Sequence, residues 1–319
     1  MVDFLSTVEY DYNDSVEIPS QSPVLYKTYQ MRTGIRFMYV AVYSATICLG
    51  LLLNSAVIFM TVKCRSNEKL SQSTLIMGLA VTHLVLCLFT PIYLITAWNY
   101  FSWTFGNVVC KLGSYVISMN MFSASLMITF WNVCCYVPVC CDHHMSTNMV
   151  LLSWIAGAIL STPSLLSREV QYTADGCACL DKYDYIEHLQ IFKGGKDRMM
   201  AVVFSRFIFG LLLPLGVTWL SCCCTNNRRS YQVNSLIRPV TVAHFLCWAP
   251  VICLTVLQVG SNRVWFIYAL PPANALSVLN SCICPVISIC KGKMELNSLA
   301  QDPHIEENRE EDEEMSSLA

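Results

Sequence analysis

Arg206 is the residue whose surroundings constrain its chemistry most. It sits inside an apolar run over residues 199–224. An arginine near the centre of a bilayer costs about 2.5–3.5 kcal/mol on insertion scales, so such a residue faces a polar interior or snorkels to water from near a helix end. The chain has 18 cysteines, most of them within apolar runs, where cysteine acts as a small buried apolar residue. Cys110, Cys177 and Cys179 stand apart, and a disulfide from Cys110 to either of the other two fits an oxidising side of a membrane. Cys140-Cys141 with His143-His144 could be read as a metal cluster. Adjacent residues point in different directions and metal sites use wider spacing, so a membrane-proximal loop open to acylation is the better reading. Cys222-Cys223-Cys224 reads the same way, as acylation sites or apolar filler. Asn120 and His244 read as packed, hydrogen-bonded interior residues. Nothing here has the spacing of a catalytic constellation, and neither an enzyme nor a cofactor is expected.

The elements that must position these residues are seven apolar stretches, at about 37–62, 73–98, 107–137, 147–166, 199–224, 236–259 and 264–290. Each reaches about 20 residues, the length an α-helix needs to cross a hydrocarbon core about 30 Å thick. In lipid each backbone N–H and C=O must be paired within its own segment, which selects helices. The chain is 55% hydrophobic and 13% charged, against about 25% charged for an average soluble domain. One all-α membrane bundle is therefore expected, in contact with the lipid bilayer. No basic stripe points to nucleic acid. No chain of intramembrane carboxylates and no pair of interrupted helices points to transport.

Three regions follow: 1–36 as an extracellular segment, 37–290 as the transmembrane domain and 291–319 as an acidic inner tail. The first has no apolar run behind a basic start and so does not read as a cleaved signal peptide. It carries the glycosylation sequon Asn13-Asp14-Ser15, and Tyr10 and Tyr12 lie among acids as sulfation candidates. A solvated tail is the alternative. The run Glu306–Glu314 is nearly all acidic and self-repelling. Lysine and arginine counts do not orient the chain, because Lys182, Lys193, Lys196 and Arg198 offset the basic residues of the opposite loops. Cysteine placement favours an outside N-terminus.

In order and spacing, a set of short motifs resembles rhodopsin-like G-protein-coupled receptors over nearly the whole chain, and the chemoattractant branch in particular. They are Leu53-Asn54-Ser55, Leu79-Ala80-Val81, Trp103-Thr104-Phe105-Gly106 ahead of Cys110, Trp154, Ser161–Glu169, Ser205-Arg206-Phe207 with Pro214, Cys247-Trp248-Ala249-Pro250, and Asn280–Pro285. The resemblance implies a seven-transmembrane, rhodopsin-like helix bundle in the plasma membrane, with an extracellular peptide or protein ligand and a heterotrimeric G protein or arrestin inside. It favours Cys179 over Cys177 as the partner of Cys110. It implies that Arg206 pairs with an acidic ligand group, that Arg168 and Glu169 rim the same pocket or pair with each other, and that Tyr93, Trp98, Tyr115, Phe122 and Trp248 are candidates for the wall.

The departures from the pattern fall on residues that make such receptors signal. His83 stands where the family has a second-span aspartate that helps bind sodium. Cys134-Cys135-Tyr136 stand where an ungapped count places Asp-Arg-Tyr. Counting back from Pro138-Val139 instead removes about four residues, about 6 Å of helix. Cys222 replaces a fifth-span tyrosine. Cys284-Pro285 and Ser288 replace the seventh-span Asn-Pro and tyrosine. The resemblance therefore implies a receptor with altered switch positions. The alternative is a receptor-like protein that captures ligand without signalling, or a degenerate copy.

Overall fold

The computed structural model describes residues 23–64, 70–136, 143–173, 176–181, 195–224, 228–259 and 266–300, with side chains left out at the ragged ends of several of these segments. Seven of its helical segments are long and apolar enough to cross a membrane: Gln30–Lys63, Ser73–Trp98, Gly106–Val133, His144–Ser167, Met199–Leu220, Ile237–Val259 and Tyr268–Lys291. These coincide with the seven stretches seen in the sequence.

The first span is α1 (Pro23–Ala45), a π-helical turn (Thr46–Gly50) and α2 (Leu51–Cys64). Helix α1 begins 14 residues earlier than the apolar pattern, at a proline suited to a first helical position. Lys27, Arg32 and Arg36 interrupt its first turns, so hydropathy alone does not mark where the helix begins. The second to fourth spans are α3 (Leu70–Trp98), α4 (Gly106–Tyr136) and α5 (His143–Ser167). Strands β1 (Arg168–Thr173) and β2 (Gly176–Asp181) follow as an antiparallel hairpin that pairs Arg168 with Asp181 and Thr173 with Gly176. The fifth span is α6 (Gly195–Phe207), a π-helical turn (Ile208–Leu212) and α7 (Leu213–Cys224). The sixth and seventh are α8 (Arg228–Val259) and α9 (Phe266–Ala300).

Prolines lie inside four of these helices: Pro91, Pro163, Pro239 with Pro250, and Pro271, Pro272 and Pro285. Neighbouring helices and side-chain hydroxyls re-satisfy the freed carbonyls within a membrane bundle. Small residues let the helices close. A Cβ on Gly157 of α5 would collide with Ser123 of α4, and one on Gly113 of α4 would meet the Tyr93 hydroxyl at 2.5 Å. Among the described residues apolar packing forms three clusters, one of them around Tyr39, Ala97 and Ala275. Leu75, Met127, Trp131, Ile237 and Cys284 join a second, and Phe122, Leu211, Trp248 and Ile252 join the third. Large side chains such as Leu52, Phe59, Trp219 and Leu246 are exposed, as lipid-facing positions of a bundle should be.

Candidate functional site

The β-hairpin marks one end of the bundle, and its second strand is tied to the third span. Cys110 is bonded to Cys179, with the Cα atoms 5.7 Å apart, while Cys177 is a free, half-buried thiol. Trp103 is buried beneath this hairpin. Its backbone N–H donates to the Cys177 carbonyl at 2.7 Å and its indole N–H to the Gly106 carbonyl at 2.9 Å. Asn107 Oδ1 accepts from the Val170 N–H at 3.2 Å. Arg168 opens β1, and its Nη1 donates to the Cys179 carbonyl at 2.7 Å. Arg168 thus belongs to the hairpin and braces the half-cystine itself.

Arg206 is half-buried at the end of α6, just before the π-helical turn. Its Nη2 donates to Ser164 Oγ at 2.9 Å and to Ser118 Oγ at 3.1 Å. Ser118 Oγ in turn donates to Ser164 Oγ at 2.8 Å. Both serines are 2% exposed. The guanidinium therefore joins the third, fourth and fifth spans through neutral hydroxyls, and among the described residues no carboxylate meets it. Hydroxyl dipoles hold the plane of the guanidinium while leaving its charge in place, which suits an incoming anion. Sequence reasoning missed Ser118 and Ser164, because serines within apolar helices carry no signal of their own until a charge is seen to need them.

The aromatic candidates divide. Phe122 and Trp248 share one buried cluster with Ile117 and Phe207, the chain neighbours of Ser118 and Arg206. Tyr115 is half-buried on α4. Tyr93 packs against Gly113 and belongs to a file of rings, 6.1 Å from Tyr43 and 6.4 Å from Trp103 between centroids. Trp98 is not brought to either group. It is 59% exposed at the end of α3 and lies beside Arg36.

Deeper in the bundle, two histidines are fully enclosed. Asn120 Nδ2 donates to the Thr82 carbonyl at 3.1 Å, which fixes the amide, and the same nitrogen lies 3.2 Å from His83 Nδ1. An amide nitrogen only donates, so His83 Nδ1 accepts and Nε2 carries the hydrogen. The Trp154 indole N–H donates to Thr82 Oγ1 at 2.9 Å and ties the fourth span to the same place. A sodium ion needs hard oxygen donors, and here the second span offers an N–H instead. These residues do not fit that ion. Farther along, Ser125 Oγ lies 2.8 Å from His244 Nε2 and 3.3 Å from the carbonyl of Gly210, which sits within the π-helical turn. Asn132 Nδ2 approaches Thr241 Oγ1 at 3.4 Å. All four side chains are buried, and together they fasten the third span to the fifth and sixth.

Toward the end opposite the hairpin, the Cys284 thiol donates to Asn280 Oδ1 at 3.2 Å and Ser288 Oγ to the Cys284 carbonyl at 3.0 Å. Pro285 lies between them within α9. Asn54 Nδ2 donates to the Gly50 and Ser281 carbonyls, both at 2.8 Å, joining the first and seventh spans. Cys134, Cys135 and Tyr136 close α4, and Cys222 lies in the last turn of α7, but their side chains fall outside the described residues. Asn13, Tyr10, Tyr12, Cys140-Cys141 and the acidic run 306–314 also lie outside them.

This arrangement of seven spans and a disulfide-tied hairpin agrees with comparison to known proteins. Bovine chemerin-like receptor 1 is 27% identical over 286 residues, covering 81% of this chain and 78% of the relative. The human chemerin-like receptor 1 is 26% identical over 317 residues, with 89% and 84% covered. Rat chemerin-like receptor 2 is 25% identical over 306 residues, with 89% and 83% covered. Residues 53–287 match the 7 transmembrane receptor (rhodopsin family) profile, and the chain belongs to that family.

Proposed function

We propose that this chain is a chemoattractant-type receptor of the plasma membrane that binds an extracellular peptide or protein ligand at the hairpin end of its bundle. The observation that carries the reading is Arg206, a cation held between Ser118 and Ser164 with no carboxylate on it among the described residues. The Cys110–Cys179 bond at the same end supports placing that end, and the N-terminus with it, on the oxidising side. Arg206 then faces an acidic group of the ligand, with Phe122 and Trp248 packed beneath and Arg168 at the rim. Tyr93 and Tyr115 are further contacts in this reading.

The relatives' names carry chemerin, so chemerin heads the panel of chemoattractant peptides and proteins to be tested by surface binding. Arg206→Ala should weaken binding of the captured ligand by about 2–5 kcal/mol with expression retained. Arg206→Lys should restore only part, because lysine lacks the planar fork. Unchanged affinity in Arg206→Ala would remove the residue from the site and the reading with it.

A second reading concerns the opposite end, and His83, Cys284 and Ser288 favour it. Each replaces a residue that the family pattern uses in switching, and the Ser125–His244 contact adds a polar tie where the third, fifth and sixth spans meet. In this reading the receptor captures ligand without ordinary exchange on a G protein.

A further inference from the structure

The first and second spans meet, at the hairpin end, in a cluster that ligand capture at Arg206 leaves unused. The Arg36 guanidinium carbon lies 3.9 Å from the Tyr100 ring centroid, 5.4 Å from that of Trp98 and 5.5 Å from that of Phe37. Stacking on rings fixes the plane of a guanidinium and leaves its N–H donors pointing edgewise. Arg36 Nε is buried without a hydrogen-bond partner, and among the described residues neither an acceptor nor a carboxylate contacts this side chain. Arg32, one helical turn away, donates from Nη2 to the Tyr100 carbonyl at 3.3 Å. Residues 23–67 and 69–141 contain no aspartate or glutamate, so the first three spans and their links supply no acid of their own beyond Glu68.

The surrounding rings face outward. Phe37 and Trp98 are each 59% exposed and Tyr100 is 52% exposed. Trp98 ends the second membrane-length segment, and Phe37 opens the uninterrupted apolar run of the first. The rings and the guanidinium thus share the depth at which hydrocarbon gives way to headgroups, where tryptophan, tyrosine and arginine are the usual anchors. The backbone is bent to make the cluster. Tyr100 and Phe101 adopt φ of 55° and 66°, a left-handed conformation that bulky residues seldom enter, and this turn lays Tyr100 over Arg36.

We propose that Arg36, with Arg32 beside it, forms a binding site for the phosphate of a phospholipid headgroup in the leaflet at the hairpin end, with the acyl chains against Phe37 and Trp98. The guanidinium offers paired donors to two phosphate oxygens, and the exposed rings offer apolar cover on either side of the same point. An acidic peptide arriving from water satisfies the charge but leaves Phe37 and Trp98 uncovered at acyl depth, which is why lipid is the occupant of choice. This site is separate from Arg206 and does not rest on the ligand reading.

The test is native mass spectrometry of the purified full chain with dioleoylphosphatidylcholine, dioleoylphosphatidylglycerol and the phosphate-free dioleoylglycerol, each titrated from mixed micelles. Both phospholipids should be retained and dioleoylglycerol should not. Arg36→Gln should weaken retention about fivefold, the effect typical of one basic residue at a membrane surface. Arg36→Lys should weaken it less, and Arg206→Gln not at all. A lipid-free melting curve matching the parent shows that Arg36→Gln folds, and Arg36→Lys carries the comparison if it does not. Wild-type retention in both Arg36 variants would overturn the proposal, as would equal retention of dioleoylglycerol. Stabilisation by inorganic phosphate alone to the level given by phospholipid would make this a soluble-anion site instead. Stronger lipid retention after deletion of residues 1–20 would make the acidic N-terminal segment the native occupant, against the proposal.

Discussion

At the scale of single residues, the hairpin end depends on a few covalent and charge-assisted contacts. Cys110–Cys179 closes a loop of 69 residues in sequence, and Arg168 and Trp103 donate hydrogen bonds to carbonyls of the same strand. A native disulfide of this kind contributes about 2–4 kcal/mol. Cys110→Ala should therefore lower surface expression or ligand binding, and thiol mapping of the mature protein should find Cys177 free and Cys110 bonded to Cys179. A free Cys110 in that map would contradict the arrangement. The choice between Cys177 and Cys179 was barely legible in the sequence, since both lie in one short stretch. Strand register separates them, because Cys179 pairs with Val170 while Cys177 pairs with Tyr172 and uses its carbonyl to hold Trp103.

At the scale of elements, the spans themselves were legible because hydrophobicity over about 20 residues has one solution in lipid. Less legible was what joins them. Ser125 is not singled out by the sequence, and His244 reads there only as a packed interior residue. Only the fold shows that they meet at 2.8 Å, beside the Gly210 carbonyl of a π-helical turn. Nothing in hydropathy encodes such a turn. Hydrogen bonds between membrane helices average about 0.6 kcal/mol in double-mutant cycles, with a maximum near 1.7. A cycle of Ser125→Ala and His244→Phe, read by thermal unfolding in detergent, should give a coupling within that range. Additive effects of the two substitutions would mean that the contact fastens nothing. Trp98 is the opposite lesson. The resemblance offers it among the aromatic candidates for a pocket wall; in the fold it is 59% exposed beside Arg36, and helix phase near a span end is poorly set by sequence.

At the scale of the whole molecule, the two ends of the bundle carry different chemistry. The hairpin end has a disulfide, an Arg206 that meets no carboxylate among the described residues, and a file of aromatic rings. The middle and opposite end have uncharged hydrogen bonds at positions where the family pattern places an aspartate, an asparagine and a tyrosine: His83 to Asn120, Cys284 to Asn280, Ser288 to its own helix. A ligand shifts a two-state receptor only through its differential affinity for the two states. In the reading in which these replacements disable the switch, binding at one end is expected to be poorly coupled to rearrangement at the other. The most direct measurement is ligand-dependent nucleotide exchange on purified G proteins in membranes containing the receptor, made at a ligand concentration that surface binding shows to be saturating. Saturated binding with exchange near the unliganded rate is the predicted result, and robust exchange at the level of an intact chemoattractant receptor would contradict it.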